Sequence, residues 1–479
     1  MSTALATPIT PGILLRKRRK EKSTAHRIAL ALVWITIASS AVVFSEPAPV
    51  DALTMGLIVL LPVIGLTRQT PWLWGGLALW LVIAACGFLG AMHSPETGVA
   101  TTFIAVSFYL YLACALFAAF VAKAPEAHTR LILNATLISA TIAATAALVG
   151  YFDLLPGAYE LFTRYDRAAG TFKDPNVLGP FLITGVLTAI HLWLTRPARK
   201  GIGALIAAMV MTLAILLSFS RGAWAAMAIA FTIYAVLYLA TAQRNRDRLK
   251  IAGLVLGGTA AIGLVLAAAL QSTAVADLLE QRATLTQPYD EGPEGRFGGQ
   301  VKAFNLILDN PFGIGGQAFT RFHHHEEAHN SYLTAFLNGG WIGGLSFLLL
   351  VIVTLALGWR HALLATKSQR LFLVVYAALA ANLLEAAIID IDHWRHVYLL
   401  IGVVWGLMAG DTRIVRKGRI IADLRPVLMS RVLLVPPSRR GVRILRRTLP
   451  QLPPPNTRGL PVSQRRRPRR EARIVVYNR

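Results

Sequence analysis

Charge is scarce in this chain and cysteine is almost absent. Only 15% of the 479 residues are charged. The two cysteines, Cys86 and Cys114, fall in apolar stretches and read as packing residues. That excludes a disulfide framework and a thiolate metal site. Lys, Arg and His are missing from the middle of every long apolar run. Ion-coupled carriers need polar or ionisable groups near the bilayer centre, so this lack argues against a coupled pump. Acids are also few, 24 against 48 Lys and Arg.

Apolar residues make up 55% of the chain. They gather into twelve runs, at 28–44, 51–66, 72–91, 101–121, 131–151, 176–195, 202–220, 222–241, 251–270, 331–357, 371–389 and 396–410. A membrane helix needs ~20 such residues. The expectation is an all-α polytopic membrane protein of about twelve transmembrane helices. Arg16-Lys17-Arg18-Arg19-Lys20 precedes the first run, and no convincing cleavage site follows it. The first run therefore reads as a retained signal anchor.

Charge orients the chain. With both termini inside, the cytoplasmic segments hold 39 of the 48 Lys and Arg, and the outside faces keep 9. Acids divide the other way, 6 inside and 18 outside. This is the positive-inside pattern at every cytoplasmic loop. The net charge of +24 is thus a topology signal and not a nucleic-acid footprint. The expected organisation is a basic arm (1–27), a membrane domain (28–410) and a basic, disordered cytoplasmic tail (411–479) resting on anionic lipid.

Two outside segments are long, 152–175 and 271–330. An insertion of that second length is kept when it folds and works. Within it, Val301, Phe304, Ile307 and Leu308 form a helical apolar stripe that ends at Pro311 and the glycines of PFGIGG. A short amphipathic helix on the outer leaflet is expected. The few outside bases include Arg164, Arg167 and Lys173, then Arg296, Lys302 and Arg321, and Arg395. Arg221 lies between two apolar runs with almost no loop around it. It is either an interface anchor or an anion clamp. Arginine suits a phosphate because its planar fork stays charged and donates in parallel. Helix starts after Asn176, Ser220 and Asn330 can add backbone donors.

His325-Glu326-Glu327-Ala328-His329 matches the zinc-protease pattern H-E-x-x-H. That chemistry needs both histidines on one helical face and a third ligand. Here the pattern follows His323 and His324 in expected loop, and Glu385, His393 or His396 can serve as the third ligand only by tertiary recruitment. A second reading makes His329 an acid–base group at the membrane surface, able to accept a proton from a hydroxyl. A third makes it a surface histidine beside a helix cap.

The stretch AHNSYLTAFLNGGWIGG resembles the histidine-containing signature of the O-antigen ligase and O-antigen polymerase superfamily, which includes exopolysaccharide polymerases. RAAGTFKDPNVLGPFL (167–182), SFSRGAWAAMAIAF (218–231) and GRFGGQVKAFNLILDNPFGIGGQAF (295–319) are similar to further family stretches, in order. The resemblance spans roughly residues 130–410. It implies a GT-C-like inverting glycosyltransferase of the bacterial inner membrane, with its site facing the periplasm. Such an enzyme moves a glycan from undecaprenyl diphosphate to an acceptor hydroxyl, with no cofactor and no metal.

By that resemblance Arg221 and Arg296 clamp the diphosphate, Arg167 assists, and His329 activates the acceptor. Asn330 and Asn176 support the site. Gly339, Gly340, Gly343 and Gly344 would allow close helix packing. The tract His323-His324-His325 departs from the family pattern and leaves His325 open as a sharer of the role of His329. The acceptor is lipid A–core for a ligase and a second lipid-linked glycan for a polymerase, and ligase is preferred. A lipid-linked-glycan flippase is the alternative from another class.

Overall fold

The computed structural model describes residues 24–269 and 292–411. The basic tail, most of the N-terminal arm and residues 270–291 of the long loop lie outside that range. In chain order the helices are α1 (Thr24–Ala38), α2 (Pro49–Val63), α3 (Pro71–Met92), α4 (Thr97–Lys123), α5 (Pro125–Tyr151) and the short α6 (Ala158–Phe162). There follow α7 (Pro175–Thr195), α8 (Ala198–Leu217), α9 (Arg221–Thr241) and α10 (Asn245–Ala269). After the gap come α11 (Arg296–Asp309), α12 (Ser331–Ala362), α13 (Gln369–Glu385) and α14 (Arg395–Gly410).

Among the described residues, eight helices are long and apolar enough to cross a membrane: α1, α3, α4, α5, α7, α8, α9 and α12. This is a multi-pass membrane protein. A helix also lies at each of the other four expected runs, as α2, α10, α13 and α14. Of these, α2, α13 and α14 have 15, 17 and 16 residues, short of the ~20 that a full span needs.

Small residues set how closely the helices approach. Gly402, Gly406 and Gly410 of α14 recur at one-turn spacing. A Cβ at each would lie 2.5, 2.5 and 2.6 Å from the carbonyls of Cys114, Ala118 and Ala122 on α4. Glycine at all three lets the two backbones touch, and dispersion between them replaces the hydrophobic drive that lipid does not supply. Trp80 of α3 stacks on Tyr111 of α4 at 4.2 Å and closes the same layer.

The glycines of α12 behave differently from one another. Gly339 and Gly343 face Cys86 of α3, as the close-packing expectation required. Gly340 instead breaks the helix, at φ 63° and ψ −165°, a conformation glycine adopts without the Cβ penalty. Trp341 N would ordinarily bond to Leu337 O one turn back. It donates to Pro311 O at 2.9 Å instead, and Leu337 O accepts from Ile314 N at 2.7 Å. The PFGIGG loop thus partners both groups that the break leaves open, as a broken helix at a membrane requires.

The outside segment 152–175 carries more structure than expected. After α6, β1 (Thr163–Arg164) and β2 (Arg167–Ala168) pair antiparallel. Tyr165 and Asp166 between them both take positive φ, 54° and 55°, the requirement of a two-residue hairpin turn that matches strand twist.

Candidate functional site at the head of the broken helix

Asn330 starts α12. Its Oδ1 accepts from Tyr332 N at 3.1 Å and Leu333 N at 3.2 Å, satisfying two backbone donors that a helix start leaves open. His329, just before it, has φ +47°. This left-handed turn sets the imidazole between two carboxylates. Its Nε2 lies 3.5 Å from Glu326 Oε2 and its Nδ1 lies 3.8 Å from Asp390 Oδ2. The imidazole is 31% exposed and Asp390 9%.

Asp390 is fixed from the other side, because its Oδ1 accepts from Thr334 Oγ1 at 2.8 Å. Ser331 pins the α13–α14 turn to the head of α12. Its N donates to Ala386 O at 2.9 Å, and its Oγ accepts from Ile391 N at 2.7 Å. Asp390 was absent from the sequence reading. Its signal was the pair of acids in IIDID, a short turn bounded by apolar residues.

The carboxyls here are crowded. Glu327 stands close enough to Asp390 for their charges to oppose one another. Burial and then the Asp390 charge push the Glu327 carboxyl well above its usual range, although part of the side chain reaches solvent. Asp392 is raised too, first by burial and then by Asp390 and Glu327. His393 is lowered to about 4, chiefly by burial. It is therefore neutral, and its Nε2 meets Ser107 Oγ at 3.0 Å.

A second corner lies at the α8–α9 turn. Arg167 projects from the hairpin and is only 7% exposed. Its Nε donates to Ser218 O at 2.6 Å and its Nη2 to Asn176 Oδ1 at 2.7 Å. Asn176 sits in the first turn of α7, where its own N–H is capped by Asp174 at 2.8 Å. Arg167 therefore ties the end of α8 to the first turn of α7. Ser220 caps α9, accepting from Ala223 N at 3.4 Å, so half-buried Arg221 becomes the first residue of that helix.

The two corners meet through one carboxylate. Glu385 Oε1 lies 2.9 Å from where a Cβ on Gly222 would stand. The next residue, Ala386, is the one bonded by Ser331. Arg221 thus opens α9 and His329 stands just before the cap of α12, and both helix starts abut the same turn.

Arg296 opens α11, and Gln300 one turn later donates from Nε2 to His329 O at 3.4 Å. Residues four apart share a helical face, so Arg296 lies on the side of α11 turned toward His329. The exposed face of α11 is Phe297, Val301, Phe304 and Leu308. Ile307, expected in that stripe, packs inward with Ala303 against Leu337 and Phe319. The stripe is therefore rotated by about one residue from the sequence reading, and its apolar character is kept.

The zinc-protease geometry does not form. Residues 324–330 are not helical, so His325 and His329 do not share a helix face. His393 is taken by Ser107, and His396 by Asn382 Oδ1 at 3.2 Å.

Beneath the site is a cavity of about 270 Å³. Its polar roof includes Asp174, Glu327, Asp390, Asp392 and Arg395, and its walls are apolar. Glu327 and Asp390 border both this cavity and the His329 corner. Arg395 is neutralised there by a bidentate pair with Asp51, at 2.6 and 2.8 Å.

Residues 205–348 match a family model described as O-antigen ligase. The match supports the superfamily resemblance and, at a coarse level, an enzyme of surface-polysaccharide synthesis. The matched interval contains Arg221, Arg296, His329 and Asn330, and leaves Arg167, Asn176 and Asp390 outside. No curated protein matches the chain.

Proposed function

We propose that this protein is an inverting glycosyltransferase of the bacterial inner membrane. It transfers a glycan from undecaprenyl diphosphate to an acceptor hydroxyl at the periplasmic face, and the preferred acceptor is lipid A–core. The carrying observation is His329, held between Glu326 and Asp390 at the head of α12 with the Arg296 helix bonded to its carbonyl.

The residues support the following chemistry. Asp390 orients the ring through Nδ1 and stabilises the positive charge that forms on it, as a carboxylate does for a catalytic histidine. Nε2 takes the acceptor proton once the half-exposed Glu326 swings aside. The acceptor oxygen attacks the anomeric carbon, the bond to the diphosphate breaks, and its electron pair leaves on the phosphate. Arg221 and Arg296 each begin a helix, so a guanidinium and backbone N–H donors serve together at each place. Such fixed donors favour the charge that develops on the leaving group. Arg167 and Asn176 hold the α8–α9 turn against the α7 start. No metal is needed on the reacting atoms, and the twelve-span arrangement with both termini inside belongs to this reading.

The test is transfer by the purified chain, with a glycan on undecaprenyl diphosphate as donor and either lipid A–core or a second lipid-linked glycan as acceptor. Product on core is expected, with Arg221→Ala and Arg296→Ala inactive and EDTA-treated protein still turning over. Longer carrier-linked chains without core product would assign the same chemistry to a polymerase. Glycan carried across vesicles with no new glycosidic bond would replace the enzyme with a flippase.

A further inference from the structure

The histidine tract that the transfer chemistry leaves aside makes its own cluster. We infer that Glu294, His324 and His325 form a binding site for a divalent transition metal of the zinc class, fastening the approach to α11 onto the loop that carries His329. Their ligand atoms lie within 4.8 Å of one another. Glu294 Oε2 is 3.9 Å from His324 Nε2 and 3.5 Å from His325 Nδ1. Ligands around a tetrahedral zinc, with bonds of ~2.0–2.1 Å, stand about 3.4 Å apart. A small inward movement of the exposed Glu294 and His325 closes the set.

A second observation points to a ligand. The His324 side chain is 1% exposed, yet its Nε2 has no hydrogen-bond partner. It is a buried lone pair or N–H aimed at Glu294. Gly299 makes the room for it, since a Cβ there would come within 3.0 Å of the His324 ring.

The outer contacts have the form that metal histidines use. A ligating imidazole gives its other nitrogen to a carbonyl or carboxylate, which fixes ring and tautomer. Here both rings turn that other nitrogen to one residue. His324 Nδ1 lies 3.1 Å from Glu326 O and 3.2 Å from Glu326 N, and His325 Nε2 lies 3.8 Å from Glu326 Oε1. Two imidazoles and a carboxylate select zinc-class ions over Mg²⁺ and Ca²⁺, which prefer oxygen. Three protein ligands leave a fourth position to water.

The site differs from the H-E-x-x-H reading, because His329 is not a ligand. Its consequence is mechanical. Glu294 stands two residues before Arg296, and Glu326 touches both His325 and His329. A bound ion would hold the Arg296 helix start and the His329 loop at a fixed separation.

The test uses the full chain in detergent without a polyhistidine tag, stripped by chelator and titrated with Zn²⁺ against a chromophoric competitor. One equivalent is expected to bind, unaffected by excess Mg²⁺, and to raise the unfolding midpoint. Glu294→Gln and His325→Ala, both at exposed positions, should each weaken binding at least tenfold and remove the midpoint rise. His323→Ala should change neither. His324→Ala should abolish binding, and the two exposed variants decide the matter if it fails to fold. No saturable binding, or binding equal to wild type in both Glu294→Gln and His325→Ala, would overturn the site. None of these readouts depends on transfer, so failure here leaves the proposed activity standing, and the reverse.

Discussion

Arg167 and His329 are both polar groups beside helix ends, yet they are held in opposite ways. Arg167 is buried and bonded at 2.6 and 2.7 Å. His329 is partly open, with its carboxylate neighbours at 3.5 and 3.8 Å. A closed set of short bonds fixes a scaffold. A loose set can exchange one partner for a substrate at little cost. On the proposed function, the contrast gives the first corner a positioning role and the second the chemistry.

The sharpest way to break that contrast is Arg167→Ala. It removes two hydrogen bonds from a charged donor and leaves Ser218 O and Asn176 Oδ1 without it, a loss of about 3 kcal/mol or more. A fall in folded yield and in thermal midpoint is expected. An unaltered midpoint with transfer lost would move Arg167 from scaffold to substrate contact. His329→Ala should do the reverse, with folding intact and transfer down by roughly 10²–10⁴. Full turnover in that variant would end the general-base assignment.

Asp390→Asn keeps the shape and removes the charge behind the ring. Losing one partner of a buried polar group costs about 1–3 kcal/mol, or roughly 5- to 150-fold in rate. The drop should appear in kcat more than in KM; a change confined to KM would count against an orienting role.

The smallest effect belongs to Glu327. Its carboxyl is raised in the folded state by burial and by Asp390, so the folded protein binds that proton more tightly than the unfolded chain does. The resulting stability is present below the ordinary carboxyl range and is lost as pH rises through the raised value. Glu327→Gln, which never ionises, should flatten this slope and raise the midpoint more at pH 8 than at pH 5. A thermal midpoint that responds equally at both would show that the proton is not held there.

Much of this was legible in the sequence because lipid imposes a simple code. Apolar runs located a helix at every expected segment, since backbone groups in hydrocarbon must pair internally. Boundaries were less legible. The first run was placed at 28–44, while α1 ends at Ala38 and a 3-10 turn follows. The Gly402, Gly406 and Gly410 spacing was visible but went unread. Gly340 could not be told from its neighbours, because a glycine pair inside an apolar run serves equally for packing or for breaking. Arg221, Arg296 and His329 stood out as polar residues where apolar ones prevail. Asp390 did not, because its meaning depends on a turn 61 residues away that Ser331 and Thr334 bring home. The hidden information is tertiary pairing across long sequence separations.

The break at Gly340 also bears on how the protein sits in lipid of varying depth. At 1.5 Å per residue, the 32 residues of α12 reach about 48 Å, well beyond a hydrocarbon layer of about 30 Å. The part after Gly340, roughly 33 Å long, is enough by itself to cross. The part before it is a stub of about one and a half nanometres, splinted by the 311–316 loop and carrying His329 at its tip. A thicker or thinner bilayer can then be met by tilt of the long part, while stub and splint travel as one piece. The position of the imidazole relative to the long part is then set by a loop and not by the length of a span.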